Sequence, residues 1–136
     1  MSIEAIEKKI ARVLNYVVIL ESLRDNCVER MRHDSVYRGS ILYYLYMMAD
    51  SCVALAEMVI KLKNLPKPQS YSEAIDILGE QRIIPSEFAH EFVKIAGFRN
   101  FLAHDYEKIN YEEICVVMVK KLQDVRTYVQ YVKSSL

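Results

Sequence analysis

From Ile3 onward the apolar positions Ile3, Ile6, Ile10, Val13, Val17 and Leu20 recur every three or four residues, which gathers them on one side of a helix. The pattern predicts a first helix that runs from Ile3 to the neighbourhood of Met31. The polar stretch Arg32-His33-Asp34-Ser35 then interrupts it and offers Asp34 or Ser35 as an N-cap for a second helix over residues 36–63. Along that helix Tyr37, Ile41, Tyr44, Met48, Cys52, Leu55, Val59 and Leu62 form one stripe, and Tyr46, Val53 and Ile60 form another. A helix with two apolar faces sits at the centre of a domain or turns one face to another subunit. At helical spacing, Tyr43, Tyr44 and Tyr46 read as core or interface residues rather than a platform for stacked bases. Asp50 and Glu57, a heptad apart on the polar side, are each able to partner a cation.

Pro66-Lys67-Pro68 makes a stiff connection, after which Ser70 and Glu73 have the spacing of a capping box. They open a short third helix, which Gly79 is expected to end. Pro85 suits the first turn of a fourth helix, whose face carries Phe88, Phe92, Ile95 and then Arg99. Tyr111, Ile114, Met118, Leu122, Val125, Val129 and Val132 mark a last helix reaching almost to the C-terminus. Four long helices and one short one, joined by short loops, predict an all-α, up-and-down bundle in a single domain of residues 1–136.

Composition sharpens this only in part. Apolar residues make up 52% of the chain, with three Gly and three Pro, as suits a compact helical protein. Eighteen Lys and Arg balance eighteen Asp and Glu, so any nucleic-acid site has to be a local patch rather than a global field. Cys27, Cys52 and Cys115 are an odd set without close paired spacing, which argues against a disulfide framework or zinc knuckle and for a reducing cytoplasm. The N-terminus lacks the apolar run of a signal peptide, and the uncharged stretch of residues 39–49 is too short to span a bilayer. The expectation is a soluble, cytoplasmic protein without membrane attachment.

The most informative segment is Arg99-Asn100-Phe101-Leu102-Ala103-His104-Asp105-Tyr106. Arg99 continues an apolar stripe, and a guanidinium in such a place needs a partner: a carboxylate such as Glu91, Asp105 or an acid on another helix, a ligand, or a second subunit. On one continuous helix Arg99 and His104 point about 140° apart. A helix end inside or just after the motif is therefore expected, with His104 and Tyr106 on the same side of an extended segment beyond it. His33 and His90 lie outside the motif and receive no catalytic role. No Walker loop, His-Glu-x-x-His or acidic metal cluster is present, which speaks against ATP hydrolysis and metal-dependent hydrolysis.

Together the helical layout and the pattern Arg99-x4-His104-x-Tyr106, with Asn100 after the Arg, resemble the HEPN superfamily, and within it the HepT branch of HepT/MntA toxin–antitoxin pairs. The resemblance spans essentially the whole chain. It implies a HEPN-like bundle and a type VII toxin: a metal-independent endoribonuclease, without cofactor, whose site forms where a homodimer brings two motifs together. Arg99 and His104 are then catalytic and Asn100 supporting. The implied antitoxin is a MntA-like nucleotidyltransferase that transfers AMP to Tyr106, giving an O-AMP-tyrosine. The residue chemistry suits RNA, which carries its own 2′-OH nucleophile and needs only a base, an acid and positive charge at phosphorus. One His per chain does not readily serve as both acid and base, whereas two in one cleft do. The competing expectation is a non-catalytic helical subunit that serves a minimal nucleotidyltransferase. Incubating the purified protein with RNA in excess chelator separates the two.

Overall fold

The computed structural model describes the backbone of residues 1–136 and every side chain but that of Tyr106. Helix α1 spans Ile3–Ser22, α2 Cys27–His33, α3 Ser35–Leu62, α4 Tyr71–Glu80, α5 Ser86–Phe92 and α6 Lys94–His104. A 3-10 turn, Tyr106–Lys108, leads to α7, Tyr111–Val116, which runs through a π-helical segment, Val117–Lys121, into α8, Leu122–Ser134. The bundle of four long helical stretches and one short helix is as expected, but three of the long stretches are broken or distorted.

The starts are capped where polar side chains anticipate them. Ser2 accepts from Ala5 N–H at 3.1 Å, Asp34 from Val36 and Tyr37 at 3.1 and 3.0 Å, Ser70 from Glu73 at 3.0 Å and Asn110 from Glu113 at 3.0 Å. The first helix ends at Ser22 rather than near Met31, because Asn26 adopts the left-handed conformation (φ 57°), a geometry that Asn tolerates better than most residues. The fourth breaks at Val93, where an Ala96 N–H to Val93 carbonyl bond of 3.1 Å tightens the chain into a bend between α5 and α6. Gly79 does not end α4, which continues to Glu80. A Cβ at Gly79 would lie 2.5 Å from that of Ala89, so the glycine allows α4 and α5 to touch.

Helix α3 is central and packs against α1, α2, α4 and α6. Its residues Ile41, Leu45, Cys52, Leu55, Ala56 and Val59 are fully buried among Ile6, Val13, Val17 and Leu20 of α1, Ile75 and Leu78 of α4, and Val132 of α8. Val53 and Ile60, on its second apolar face, are also buried. Tyr128 locks α8 in place: its ring stacks on Phe92 at 4.4 Å and its hydroxyl donates to the Cys52 carbonyl at 2.8 Å. Burial raises the Tyr128 phenol well above its usual pKa. Arg126 of α8 and Glu21, in the last turn of α1, tie those two helices together through a two-pronged ion pair.

Cys27 and Cys115 form a disulfide, against the expectation from the sequence. They are 88 residues apart in the chain, but α2 packs on α7 and brings their Cα atoms to 5.8 Å. Spacing along the chain carries no sign of that meeting, and the cysteine argument for a reducing compartment falls with it. An Arg32–Glu112 ion pair joins the same two helices. Cys52 is the remaining free, buried thiol. Among the described residues no helix is long and apolar enough to cross a membrane.

Candidate functional site

Arg99 lies midway along α6, on the side facing α3, with its side chain 15% exposed. Each of its three nitrogens is engaged: Nε donates to Asp50 Oδ1 at 3.0 Å, Nη1 to Asn100 Oδ1 at 3.2 Å and Nη2 to the Tyr46 hydroxyl at 3.2 Å. The guanidinium carbon also sits 5.4 Å from the centre of the Tyr46 ring and 4.7 Å from that of Tyr71, the first residue of α4. Desolvation pulls the Arg99 pKa down, but the hydrogen bond to Asp50 and the neighbouring tyrosines and carboxylate together hold it above the ordinary value. The charge is therefore permanent.

Each terminal nitrogen of an arginine carries two N–H groups and Nε carries one. With one bond made by each nitrogen, Nη1 and Nη2 each keep one N–H without a partner among the described residues. Three elements thus fix the plane of the guanidinium and leave it with the pair of donors that grips phosphate or carboxylate bidentately.

His104 is the last residue of α6, exposed, and has no hydrogen-bond partner among the described side chains. The helix ends immediately after it, at Asp105 (φ −127°, ψ 21°), as the motif predicted. The expected loosening between Arg99 and His104 is absent, so the two side chains leave one continuous helix about 140° apart. They do not converge on one group within a protomer. Asn100, also exposed, projects between them, about 40° from His104 around the helix axis. Gly97 lies on this outer face as well, with nothing within 4 Å of where a Cβ would stand. Beyond Asp105 the backbone turns into the 3-10 segment rather than an extended strand. The Tyr106 side chain, the expected acceptor of AMP, lies outside the described residues.

Of the acids offered to Arg99, Asp50 of α3 pairs with it; Glu57 lies one heptad further along α3, and Glu91 pairs with Lys94. Tyr46 was readable only as a core or interface residue, and its hydroxyl proves to be part of the arginine's frame. Tyr71 carries no sequence signal beyond following a cap residue. A recess of about 190 Å³ lined by Met48, Phe92, Ile95, Phe98, Val117 and Val125 is mainly apolar and lies away from the Arg99 guanidinium. Among the described residues no group of three or more His, Cys, Asp or Glu side chains is arranged to hold a metal ion.

Comparison with known proteins bears on this arrangement. The chain is 22% identical over 105 residues to the mRNA nuclease HepT of Shewanella oneidensis, an alignment covering 77% of this chain and 79% of that one. It is 31% identical over 92 residues to the tRNA nuclease HepT of Aphanizomenon flos-aquae, covering 68% and 63% respectively. Its fold matches that of a tri-AMPylated Shewanella oneidensis HEPN toxin in complex with MNT antitoxin, with a TM-score of 0.87 and 21% identity, across 98% of this chain and 99% of that one. The family model described as ribonuclease HepT-like matches residues 6–132, from the first turns of α1 almost to the end of α8 and including the whole Arg99-to-Tyr106 segment, and the chain belongs to that family of nucleases.

Proposed function

We propose that this protein is the ribonuclease toxin of a toxin–antitoxin pair and that Arg99 and His104 carry its chemistry. The observation that supports this most directly is the state of Arg99: permanently charged, held in one plane by Asp50, Asn100 and Tyr46, and left with one N–H on each terminal nitrogen without a partner among the described residues. Such a group stabilises the extra negative charge that phosphorus gathers when a 2′-OH attacks it. An exposed imidazole supplies the proton transfers. As base it takes the 2′-OH proton while the O–P bond forms; as acid it protonates the departing 5′-oxygen, leaving a 2′,3′-cyclic phosphate. The step needs no metal.

The divergence of Arg99 and His104 around α6 supports a homodimeric site. A second copy laid against the face of Gly97, Asn100 and His104 supplies the second imidazole, so that one acts as base and the other as acid. The neighbouring stripe of α3 suits such a contact, since Val36 is 77% and Tyr43 56% exposed. Asn100 supports both residues from between them. The partner of the pair is a MntA-like nucleotidyltransferase that adds AMP to Tyr106. The adduct adds a bulky anion to the motif and repels RNA phosphate. The place of action is the cytoplasm, where RNA and ATP meet.

The test is cleavage of RNA in excess chelator by wild type, Arg99→Ala and His104→Ala, with circular dichroism on each. Wild type is expected to cut and both variants to fail while staying helical. Wild-type rates from both folded variants would remove the assignment. For Tyr106, intact mass after incubation with the nucleotidyltransferase, ATP and Mg²⁺ is expected to show the AMP increment on wild type and none on Tyr106→Phe.

A further inference from the structure

Next to Arg99 an open recess of about 310 Å³ is lined by Glu57, Pro68, Gln69, Ser70, Tyr71 and Asn100. We propose that this recess is a nucleobase subsite, which receives the base of a nucleotide adjoining the phosphate held by Arg99. The inference rests on the nuclease reading above and adds to it a place where RNA sequence is read.

Three observations carry it. First, Tyr71 lines the recess and is 38% exposed, while the Arg99 guanidinium stands 4.7 Å from its ring centre. A phosphate gripped by that guanidinium is thus one sugar away from an aromatic ring with accessible surface, the arrangement by which single-stranded RNA is held. Second, besides Pro68 the lining holds three uncharged hydrogen-bonding side chains: Gln69, which has no partner among the described side chains, Asn100, whose Oδ1 accepts from Arg99 while its N–H groups are left over, and Ser70, whose Oγ accepts from Glu73 N–H and keeps its own O–H to donate. Gln69 is able to bond a base edge with both donor and acceptor, and Asn100 with its N–H groups.

Third, the one charged side chain in the lining is an acid. Glu57 is exposed and forms no ion pair with any described residue, and Asp50 stands a heptad before it on the same helix. A carboxylate there repels a second phosphate but accepts hydrogen bonds from an uncharged ring. It accepts only, so it favours bases that present N–H groups on the Watson–Crick edge. Guanine, with adjacent N1–H and N2–H donors, matches two carboxylate oxygens best, and uracil, with a single N–H between two carbonyls, matches worst.

The experiment starts by mapping where wild type cuts an unstructured RNA, then replaces the nucleotide on either side of that bond, one at a time, by an abasic residue. On one side the loss of the base is expected to lower wild-type kcat/KM roughly tenfold or more, the usual worth of one stacked base. Tyr71→Ala should lose a factor on intact RNA about tenfold larger than on the abasic strand, where the stacking is already gone and only the ring's hold on Arg99 is left to lose. Equal losses on intact and abasic strands would show that Tyr71 only props Arg99 and would overturn the subsite, as would no loss at all. Glu57→Gln is expected to narrow the preference for guanine over uracil at that position; an unchanged ratio overturns the specificity. A wild type that cuts no RNA overturns the nuclease reading instead. In that event the affinity of wild type and Tyr71→Ala for an uncleavable 2′-O-methyl strand, with and without the base, still reads the subsite: a base effect present in wild type and absent in the variant supports it, and no such effect overturns it.

Discussion

Arg99 and His104 stand five residues apart on one helix and are built in opposite ways. Every nitrogen of Arg99 is hydrogen-bonded, its ring partners come from α3 and α4, and its side chain is largely covered. His104 closes the helix in solvent and has no partner among the described side chains. The group that must hold a fixed charge is preorganised by the bundle itself, at no further cost when substrate arrives. The group that must exchange protons is left free to meet water, substrate and a second protomer.

That contrast breaks most sharply under truncation. His104→Ala should lower RNA cleavage by about 10²–10⁴-fold, the usual worth of a positioned acid or base, with an unchanged melting temperature. Arg99→Ala should lose at least as much activity and also melt earlier, since Asp50 and Tyr46 lose their shared partner. Matching melting curves for the two variants would remove the distinction drawn here.

Next in size is the Cys27–Cys115 bond. It closes an 88-residue separation and ties α7, which follows the His104 turn, to α2. Cys115→Ser should cost about 4–5 kcal/mol by the loop-closure argument. The opening should appear in hydrogen exchange of α2 and α7, leaving the amides around Arg99 protected. Faster exchange in α6 and α3 alone would place the mechanical coupling elsewhere.

A smaller effect is expected of Asp50→Asn. It keeps the shape but weakens the bond that fixes the Nε edge, costing about 1–2 kcal/mol of stability and slowing cleavage through kcat rather than KM. A rate equal to wild type would mean that Asp50 does not position Arg99 for the reaction.

The smallest is a control remote from both residues. The hydrogen bond from Arg126 holds the Glu21 carboxyl below its ordinary pKa of 4.5. A depressed carboxylate contributes stability above its unfolded value, and the contribution is lost as pH falls through the lowered one. Arg126→Met should therefore flatten the acid limb of the stability curve below about pH 4.5, cost about 0.5–1 kcal/mol at neutral pH, and leave cleavage intact. Steeper acid sensitivity in the variant would reverse the sign of this account.

How far the sequence led can be judged residue by residue. The three-and-four spacing carried the bundle and its central helix, because burial of an apolar stripe is a local property of the chain. Caps at Asp34 and Ser70 were visible for the same reason, whereas the Ser2 cap was not singled out although α1 was expected to start beside it. The breaks at Asn26 and Val93 were hidden, since a bend of one or two residues hardly disturbs an apolar pattern. Gly79 looked like a helix end because the local meaning of glycine is termination; its actual use is close contact with Ala89, which is a tertiary fact. In the same way Arg99 announced that it needed a partner, while the choice of Asp50 over Glu57, Glu91 or Asp105, and the presence of Tyr71, depended on how helices far apart in the chain are stacked. The Cys27–Cys115 pairing was concealed most completely, as chain separation is no guide to which helices touch.

The π-helical segment Val117–Lys121 has a consequence of a different kind, for the lengths this family's last helix can take. A turn closed by i→i+5 bonds holds one residue more than an α-turn, so it behaves as a single insertion absorbed in place. The core-facing residues Ile114 and Met118 before and within it, and Leu122 and Val125 after it, all stay buried despite the extra residue. Excising Val119, which is 60% exposed, should let the segment close as ordinary α-helix without rotating α8 off the core. The same one-residue excision in the middle of α3 has no such slack to draw on and would turn half of its buried stripe by about 100° toward solvent. Length variation among relatives should therefore be found at this bulge and not in the central helix.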